Sequence, residues 1–240
     1  MTIVLVTGAN RGLGLEIVRQ LAKQADMMVI LTARSQEKAE QAATELGETA
    51  GTGVPMTVDV ADAASVQQIA AQVTERYGQL DVLVNNAAGF VDWSEVASTA
   101  NLAASHHLLE INLFGAWRMS QAFLPLLKQS EHGRLVNVSS GAGSHADEQF
   151  GLTTNNGAVA SYGISKAALN GLTAKLAAEL ADTPILVNSV CPGLTATAPG
   201  MEAMGARPVA DGAASVVWAT TLPDDGPRGG FFRDGQPIGW

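Results

Sequence analysis

The sequence is poor in cysteine, in aromatic residues and in positive charge. Its 240 residues include one cysteine, 5% aromatic residues, and 14 basic against 23 acidic side chains, for a net charge of −9. A lone cysteine cannot form an internal disulfide bond, and a negative chain is a poor partner for nucleic acid or an anionic membrane. No apolar run approaches the roughly 20 residues of a membrane-spanning helix. Because the amino end also lacks the pattern of a secretion signal, we expect a cytoplasmic protein.

Apolar residues, in contrast, make up 47% of the chain and follow two alternating patterns. Short runs rich in β-branched residues alternate with longer segments of helical spacing. The predicted strands are Ile3–Val6, Met28–Leu31, Val54–Val58, Val82–Val84, Leu135–Val138 and Ile185–Val190, with Phe231 and Phe232 in a further one. The predicted helices are Leu13–Ala25, Gln36–Leu46, Ala63–Tyr77, Leu102–Lys128, Ala158–Leu180 and Val209–Thr220. This order predicts an α/β fold, a single Rossmann-type doubly wound parallel sheet with helices on both faces, forming one domain over residues 1–240.

Three glycines lie between the first predicted strand and the first predicted helix, at Gly8, Gly12 and Gly14. Glycines at such a turn let the backbone bend sharply and approach a pyrophosphate, whose charge the amino end of a helix favours. Many glycine-rich turns are ordinary tight turns. The strand before this one and the helix after it favour a bound dinucleotide.

Further motifs follow in order along the chain. They are TGANRGLG at residues 7–14, Asp59-Val60 after the third strand, Asn85 to Gly89 after the fourth, Asn112, Ser139-Ser140, Tyr162-x3-Lys166, and Pro192-Gly193 after the sixth. Together they resemble the short-chain dehydrogenase/reductase family, and ANRGLG, LTAR and NVSS are most similar to its carbonyl-reductase-like branch. The resemblance implies a nicotinamide cofactor. The residues it implies for cofactor binding are Gly8, Asn10, Arg11, Gly12, Leu13, Gly14, Arg34, Asp59, Val60, Asn86, Ala87, Tyr162, Lys166, Pro192, Gly193, Thr195 and Thr197.

The end of the second strand distinguishes NAD from NADP. An NAD enzyme normally offers an acid there for the ribose hydroxyls, whereas NADP needs positive charge for its 2′-phosphate. Here the sequence reads Thr32-Ala33-Arg34, and Arg34 together with Arg11 can clamp a phosphate. We therefore expect NADP(H), the alternative being that Arg34 is a solvated surface charge. By resemblance Asp59 binds the adenine amino group, unless it only caps the segment that follows.

The resemblance also implies a catalytic set of Asn112, Ser140, Tyr162 and Lys166. Tyr162 and Lys166 are four residues apart on one face of a predicted helix, where an ammonium would lower the tyrosine pKa from its usual ~10 and suit it for proton transfer. Tyr162 would protonate a carbonyl oxygen to which Ser140 donates a hydrogen bond. Lys166 would also bind the nicotinamide ribose, and Asn112 would hold a water of the proton relay. Alternatively, Ser139 is the catalytic serine, and Asn112 only satisfies buried backbone groups.

The segment from Ser140 to Tyr162 departs from the family pattern, because it is about nine residues longer than in common compact members. Phe150 and Leu152 within it either shape a substrate pocket or belong to an exposed flap. Cys191 is expected to be a small buried apolar residue. No spacing of histidine and cysteine indicates a metal site.

The function that these features favour is NADPH-dependent reduction of a ketone or aldehyde in a small-molecule substrate. One alternative is a 3-oxoacyl carrier-protein reductase, although the sequence offers no basic patch for an acidic carrier protein. Another is a redox sensor that binds NADP without chemistry, which the retained Ser140, Tyr162 and Lys166 argue against. The two long predicted helices, and the tail that ends in Trp240, offer apolar surface for a homo-oligomer.

Overall fold

The computed structural model describes residues 1–47, 52–89 and 91–240, in which short strands alternate with helices. The strands of this described part are β1 Thr2–Val6, β2 Met27–Ala33, β3 Thr52–Thr57, β4 Val82–Asn85, β5 Arg134–Val138, β6 Leu186–Val190, β7 Phe231–Arg233 and β8 Gln236–Pro237. Its α-helices are α1 Gly12–Ala22, α2 Gln36–Leu46, α3 Ala63–Tyr77, α4 Leu102–Leu109, α5 Ala116–Leu127, α6 Ala160–Glu179 and α7 Val209–Thr220.

All the strands belong to one sheet in the order β3-β2-β1-β4-β5-β6-β7-β8. Strands β1 to β7 pair in parallel, and β8 pairs antiparallel with β7. The predicted doubly wound parallel sheet is confirmed, as is the late strand at Phe231 and Phe232. Strand β8 is an addition, and it is joined to β7 by a tight turn at Asp234 and Gly235, which both have positive φ.

Helices cover both faces of the sheet and form a separate apolar core on each. Along β1, Ile3 and Leu5 face the core packed by α3, α5 and α6, while Val4 and Val6 face the core packed by α1, α2 and α7. Burial on both sides explains why the strands read as continuous apolar runs rather than as alternating patterns. No helix of the described residues is both long and apolar enough to cross a membrane.

The chain reverses its direction of winding at β1, which has β2 on one side and β4 on the other. Ligands of doubly wound sheets bind beyond the carboxyl ends of the strands near such a switch point. The glycine-rich turn after β1, the Asn86 segment after β4 and Ser140 after β5 all lie at this edge. The topology therefore gathers the predicted site residues from distant parts of the sequence.

Three helices differ from their predicted form. Helix α1 ends at Ala22 rather than at Ala25. The predicted helix Leu102–Lys128 is helical throughout, but a π-helical segment, Glu110–Gly115, separates α4 from α5. Helix α6 begins at Ala160, because Ala158 pairs with Val96 and Val159 has a φ of 54°. Isolated π-helical turns often occur at functional sites.

Replacement of Gly14 by alanine is expected to lower the free energy of unfolding by about 1–3 kcal/mol, the usual cost of overpacking. A Cβ at this position would overlap the Gly8 carbonyl oxygen and lie 2.5 Å from the Asn86 amide nitrogen. Gly171→Ala in α6 is the matched control, because a Cβ there has no neighbour within 4 Å and alanine favours the helix. Urea unfolding of the three proteins checks the prediction, which is wrong if the Gly14 variant is as stable as the wild type.

Candidate active site

Ser140, Tyr162 and Lys166 lie together at the carboxyl edge of the sheet. Ser140 follows β5, while Tyr162 and Lys166 are one turn apart on α6. The Lys166 Nζ is 5.6 Å from the centre of the Tyr162 ring and donates a 2.8 Å hydrogen bond to the Val138 carbonyl. Ser140 lies close enough to Tyr162 to lower the pKa of its phenol. The structure thus brings together the serine, tyrosine and lysine predicted from the sequence.

The pKa of Tyr162 beside Lys166 differs from the expectation. Burial, and next the electrostatic influence of Cys191, raise the pKa of Tyr162 to about 12, while Ser140 acts to lower it. Burial lowers the pKa of Lys166 to about 8. The prediction that the ammonium depresses the tyrosine pKa is wrong, because desolvation dominates. Tyr162 is therefore a protonated phenol, a proton donor, at neutral pH.

The two adjacent serines have different surroundings. The Ser139 hydroxyl donates a 2.6 Å hydrogen bond to Asn170 Oδ1, and Ser139 is fully buried. Ser140 is half-buried, and its hydroxyl accepts a 3.2 Å hydrogen bond from the Ala142 amide. Of the two serines, Ser140 is the one that influences the pKa of Tyr162, which favours it as the serine that faces a substrate.

Asn112 lies inside the π-helical segment and is 1% exposed. Its Oδ1 accepts a 2.9 Å hydrogen bond from the Gly89 amide, and its Nδ2 donates a 2.9 Å hydrogen bond to Ser165 Oγ. Ser165 in turn donates to the Tyr162 carbonyl at 2.7 Å. The Asn112 side chain therefore links the loop after β4 to the helix that carries Tyr162, in keeping with the alternative that it satisfies buried groups.

The glycine-rich turn has the geometry of an anion cradle. Gly8 and Gly12 have φ of 63° and 56°, which only glycine adopts without strain. Asn86 Nδ2 holds the turn by donating to the carbonyls of Thr7 and Gly8 at 2.8 and 3.1 Å. The first turn of α1 has neither a side-chain cap nor an acidic residue, so its amide groups remain available to a phosphate.

Two arginines stand beside this turn. Arg11 precedes α1 and Arg34 follows β2, and both are exposed. Within the residues that the structure describes, neither forms an ion pair with an acidic side chain. Ala33, at the end of β2, is buried. This arrangement fits a phosphate group better than it fits a pair of ribose hydroxyls, because the residue at the end of β2 is Ala33 and not an acidic residue.

The remaining predicted nucleotide contacts line the same edge. The Asp59 Oδ1 accepts a 3.0 Å hydrogen bond from the Ala61 amide, so this carboxylate does cap the next segment. Val60 is buried and packs so closely on Gly115 that a Cβ there would lie 2.7 Å from its Cγ2. Ala87 packs on Gly8 in the same way, so that a Cβ on Gly8 would be too close to it. Asn10 and Leu13 are half-buried in the turn and at the start of α1.

The loop after β6 closes the site from the other side. Gly193 has a φ of 74°, and Thr195 Oγ1 donates 3.1 Å hydrogen bonds to the carbonyls of Pro192 and Gly193. The Thr195 side chain is thus used within the loop. Thr197 is exposed and lies over the glycine-rich turn, since a Cβ on Gly12 would be 3.5 Å from its Cβ. Of the two threonines, Thr197 is the one whose side chain can reach a cofactor.

The sequence analysis missed a polar contact beside Ser140. Cys191 is buried as expected, but its sulfur accepts hydrogen bonds from the amides of Gly141 and Gly193 at 3.2 and 3.4 Å. Arg233 Nη2 lies 3.3 Å from the same sulfur and pairs with Asp147 at 2.5 Å. Arg233 and Asp147 are 86 residues apart, and no local pattern connects them. Arg233, the last residue of β7, thus joins the segments that follow β5 and β6.

The long segment between Ser140 and Tyr162 packs against the end of the chain. Ser144 Oγ donates to the Gly239 carbonyl at 2.7 Å, and the His145 amide donates to the Trp240 carbonyl at 2.9 Å. Trp240 itself stacks on Phe231 with ring centres 5.5 Å apart. Phe150 and Leu152 are half-buried. The start of the segment is therefore fixed to the sheet rather than a free flap.

A doubly wound sheet with a glycine-rich turn at its switch point and a Ser–Tyr–Lys set beside it defines a dinucleotide-binding oxidoreductase fold. The chain matches the family model described as short chain dehydrogenase over residues 2–205. It belongs to the short-chain dehydrogenase/reductase family.

Individual relatives and solved structures cover most or all of the chain. It is 33% identical to a (+)-neomenthol dehydrogenase of Arabidopsis thaliana over 97% of this chain and 96% of that protein. It is 32% identical to the 3-oxoacyl-[acyl-carrier-protein] reductase of Escherichia coli over 81% of this chain and 74% of that protein. The crystal structure of NADPH-bound carbonyl reductase from chicken fatty liver superimposes with a TM-score of 0.86 at 27% identity, covering 100% of this chain and 94% of that one.

Proposed function

We propose that this protein is an NADPH-dependent reductase that converts the carbonyl group of a small ketone or aldehyde to an alcohol. The observation that carries the proposal is the protonated Tyr162 phenol, which lies with Ser140 and Lys166 at the same edge of the sheet as the glycine-rich turn. The likeness to an NADPH-bound carbonyl reductase and to a neomenthol dehydrogenase supports both the cofactor and the reaction class.

Each residue of the site has its own role in carbonyl reduction. NADPH, when bound, supplies the hydride. Ser140 donates a hydrogen bond to the carbonyl oxygen as negative charge develops on it, and Tyr162 transfers its proton to the same oxygen. Lys166 lies one turn further along α6, where it is placed to hold the ribose next to the nicotinamide. Asn112 fixes the backbone around Tyr162 through Ser165.

The cradle fits a phosphorylated dinucleotide. Gly8 and Gly12 give the turn its bend, and Gly14 lets α1 pack closely against it. The pyrophosphate would lie at the start of α1, where the amide groups and the helix dipole favour negative charge. Arg11 and Arg34 supply two cations without an acidic partner in the described part of the chain. They would clamp the 2′-phosphate of NADPH.

The direct test is to follow NADPH consumption by the purified protein over a panel of ketones and aldehydes. The panel contains cyclic and aromatic ketones, aliphatic aldehydes, and a 3-oxoacyl group on an acyl carrier protein. Turnover of small carbonyl compounds is expected. Turnover of the carrier-bound substrate alone would favour the 3-oxoacyl reductase, and NADPH binding without any turnover would favour a redox sensor.

The direction of the reaction should depend on pH. Because burial raises the pKa of Tyr162 to about 12, the phenol keeps the proton that reduction needs from pH 6 to pH 10. Alcohol oxidation needs the phenolate, whose fraction grows as pH approaches that pKa. The initial rate of NADP⁺-dependent alcohol oxidation should therefore rise between pH 7 and pH 10, while the initial rate of carbonyl reduction should not. An oxidation rate that is highest at pH 7 would contradict this assignment.

The proposed assembly is a homo-oligomer. Phe114 and Trp117 are 40% and 41% exposed and stack on each other, and Ile164 on α6 is 53% exposed. Trp240 is a weaker candidate contact, because its ring packs on Phe231. We expect light scattering behind a sizing column to give a mass above the 24.8 kDa of one chain, and Trp117→Glu to lower it. A wild-type monomer at micromolar concentration would rule out this assembly.

A further inference from the structure

The first turn of α6 carries Tyr162 but has no cap of its own. Tyr162 is the third residue of the helix. The amide groups of a first turn have no intrahelical acceptors, so they need partners from elsewhere. Val159, at the N-cap position, has a left-handed backbone with a φ of 54°, and its side chain cannot accept a hydrogen bond. The hydrogen bonds within α6 alone therefore do not fix the backbone of Tyr162.

Glu95, in the loop between β4 and α4, supplies the missing acceptors. Its carboxylate Oε2 accepts a 2.8 Å hydrogen bond from the Ser161 amide, and its backbone carbonyl accepts a 3.2 Å hydrogen bond from the Ala160 amide. The next residue, Val96, forms an antiparallel bridge with Ala158. A single residue, 66 positions earlier in the sequence, thus satisfies two consecutive amides at the start of the helix.

Two further features strengthen this contact. The hydroxyl groups of Ser105 on α4 and Ser161 are 2.6 Å apart, so the same turn is held from a second element. A carboxylate at the amino end of a helix also interacts favourably with the helix dipole. Glu95 is half-buried. Asp92, in the same loop, differs from it, because the Asp92 carboxylate is exposed and accepts hydrogen bonds from Ser94.

We propose that Glu95 is a positioning residue for proton transfer, which caps the first turn of α6 from the β4–α4 loop and thereby holds the Tyr162 phenol against Ser140. This proposal rests on the proposed carbonyl reductase function. Lys166 lies in the second turn of α6, and its ammonium is anchored on the Val138 carbonyl. Loss of the cap should therefore impair proton transfer by Tyr162 more than it impairs cofactor binding through Lys166.

The test compares three substitutions of Glu95 that separate the charge of its side chain from the length of that side chain. Glu95→Gln keeps an acceptor oxygen at the same distance and removes the charge, whereas Glu95→Asp keeps the charge and withdraws the oxygen by one methylene. Glu95→Ala removes both. Asp92→Ala is the matched control, because it removes an acid from the same loop that does not contact α6.

We expect Glu95→Ala and Glu95→Asp to lower kcat about tenfold or more, since small displacements of a reacting group are costly. The dissociation constant for NADPH should change less than about threefold in both variants. Glu95→Gln should recover most of the lost turnover, and Asp92→Ala should behave as the wild type. A role limited to general stability would not produce this order, nor would it separate kcat from cofactor binding.

Hydrogen exchange supplies a second readout that does not depend on activity. The amides of Ala160 and Ser161 should exchange faster in the Ala and Asp variants than in the wild type, with Gln close to the wild type. If Glu95→Ala does not fold, the comparison between Asp and Gln decides.

Several results would overturn the proposal: unchanged kcat in the Ala and Asp variants, unchanged exchange, or a Gln variant as impaired as Ala. If the wild type reduces no carbonyl compound, the proposed function fails. The exchange rates then still decide whether Glu95 caps α6.

Discussion

Replacement of Tyr162 by phenylalanine should reduce carbonyl reduction by about 10²- to 10⁴-fold, the usual contribution of a general acid. The substitution removes only the phenol oxygen, which carries the proton. The ring remains to fill its half-buried place on α6. The affinity for NADPH should therefore change little, so the loss appears in kcat rather than in cofactor binding.

Tyr77→Phe is the matched control for this prediction. The sequence contains two tyrosines, and Tyr77 lies at the end of α3, packed against the apolar core. Its replacement removes the same atom from a different face of the protein, and activity should stay near the wild-type value. Turnover by the Tyr162 variant within a few fold of wild type would show that the proton comes from another group.

Replacement of Arg34 by aspartate should reverse the preference between NADPH and NADH. Hydrogen bonds to charged groups contribute about 1.5–3 kcal/mol each, so two arginines on the 2′-phosphate should favour NADPH by about 10²-fold or more. The aspartate would repel that phosphate and offer a carboxylate to the ribose hydroxyls of NADH. Fluorescence titration with both cofactors measures the change.

Lys175→Asp controls for the change in net charge. Lys175 is exposed near the carboxyl end of α6, far along the helix from Tyr162. The two variants change the total charge equally, but only Arg34→Asp alters the charge beside the end of β2. Equal affinities of the wild type for NADPH and NADH would show that Arg34 is a solvated surface charge.

The parts of the fold that depend on local sequence were predictable. The sheet follows from continuous apolar runs, and the turn at Gly8 and Gly12 follows from the need for positive φ beside a helix. The hairpin that forms β8 also had a signal, because Asp234-Gly235 is a typical two-residue turn. That signal was not used in the sequence analysis.

The contacts that depend on tertiary packing were not predictable. Glu95 meets Ser161, and Arg233 meets Asp147, only because the loop after β4 reaches the start of α6 and the segment after β5 reaches the end of β7. The direction of the Tyr162 pKa shift likewise depends on burial, which the spacing of Tyr162 and Lys166 does not reveal. The π-helical turn around Asn112 has no pattern that distinguishes it from ordinary helix.

The measurement that tests the central claim most directly is isotope transfer. The protein is incubated with a carbonyl compound from the panel and with NADPH deuterated at both C4 positions, and the alcohol is analysed by mass spectrometry and NMR. The account predicts one deuterium per molecule, bound to the carbinol carbon, in the wild type and in Tyr77→Phe, and almost no alcohol from Tyr162→Phe. Alcohol without deuterium, or no alcohol from any member of the panel, would contradict it.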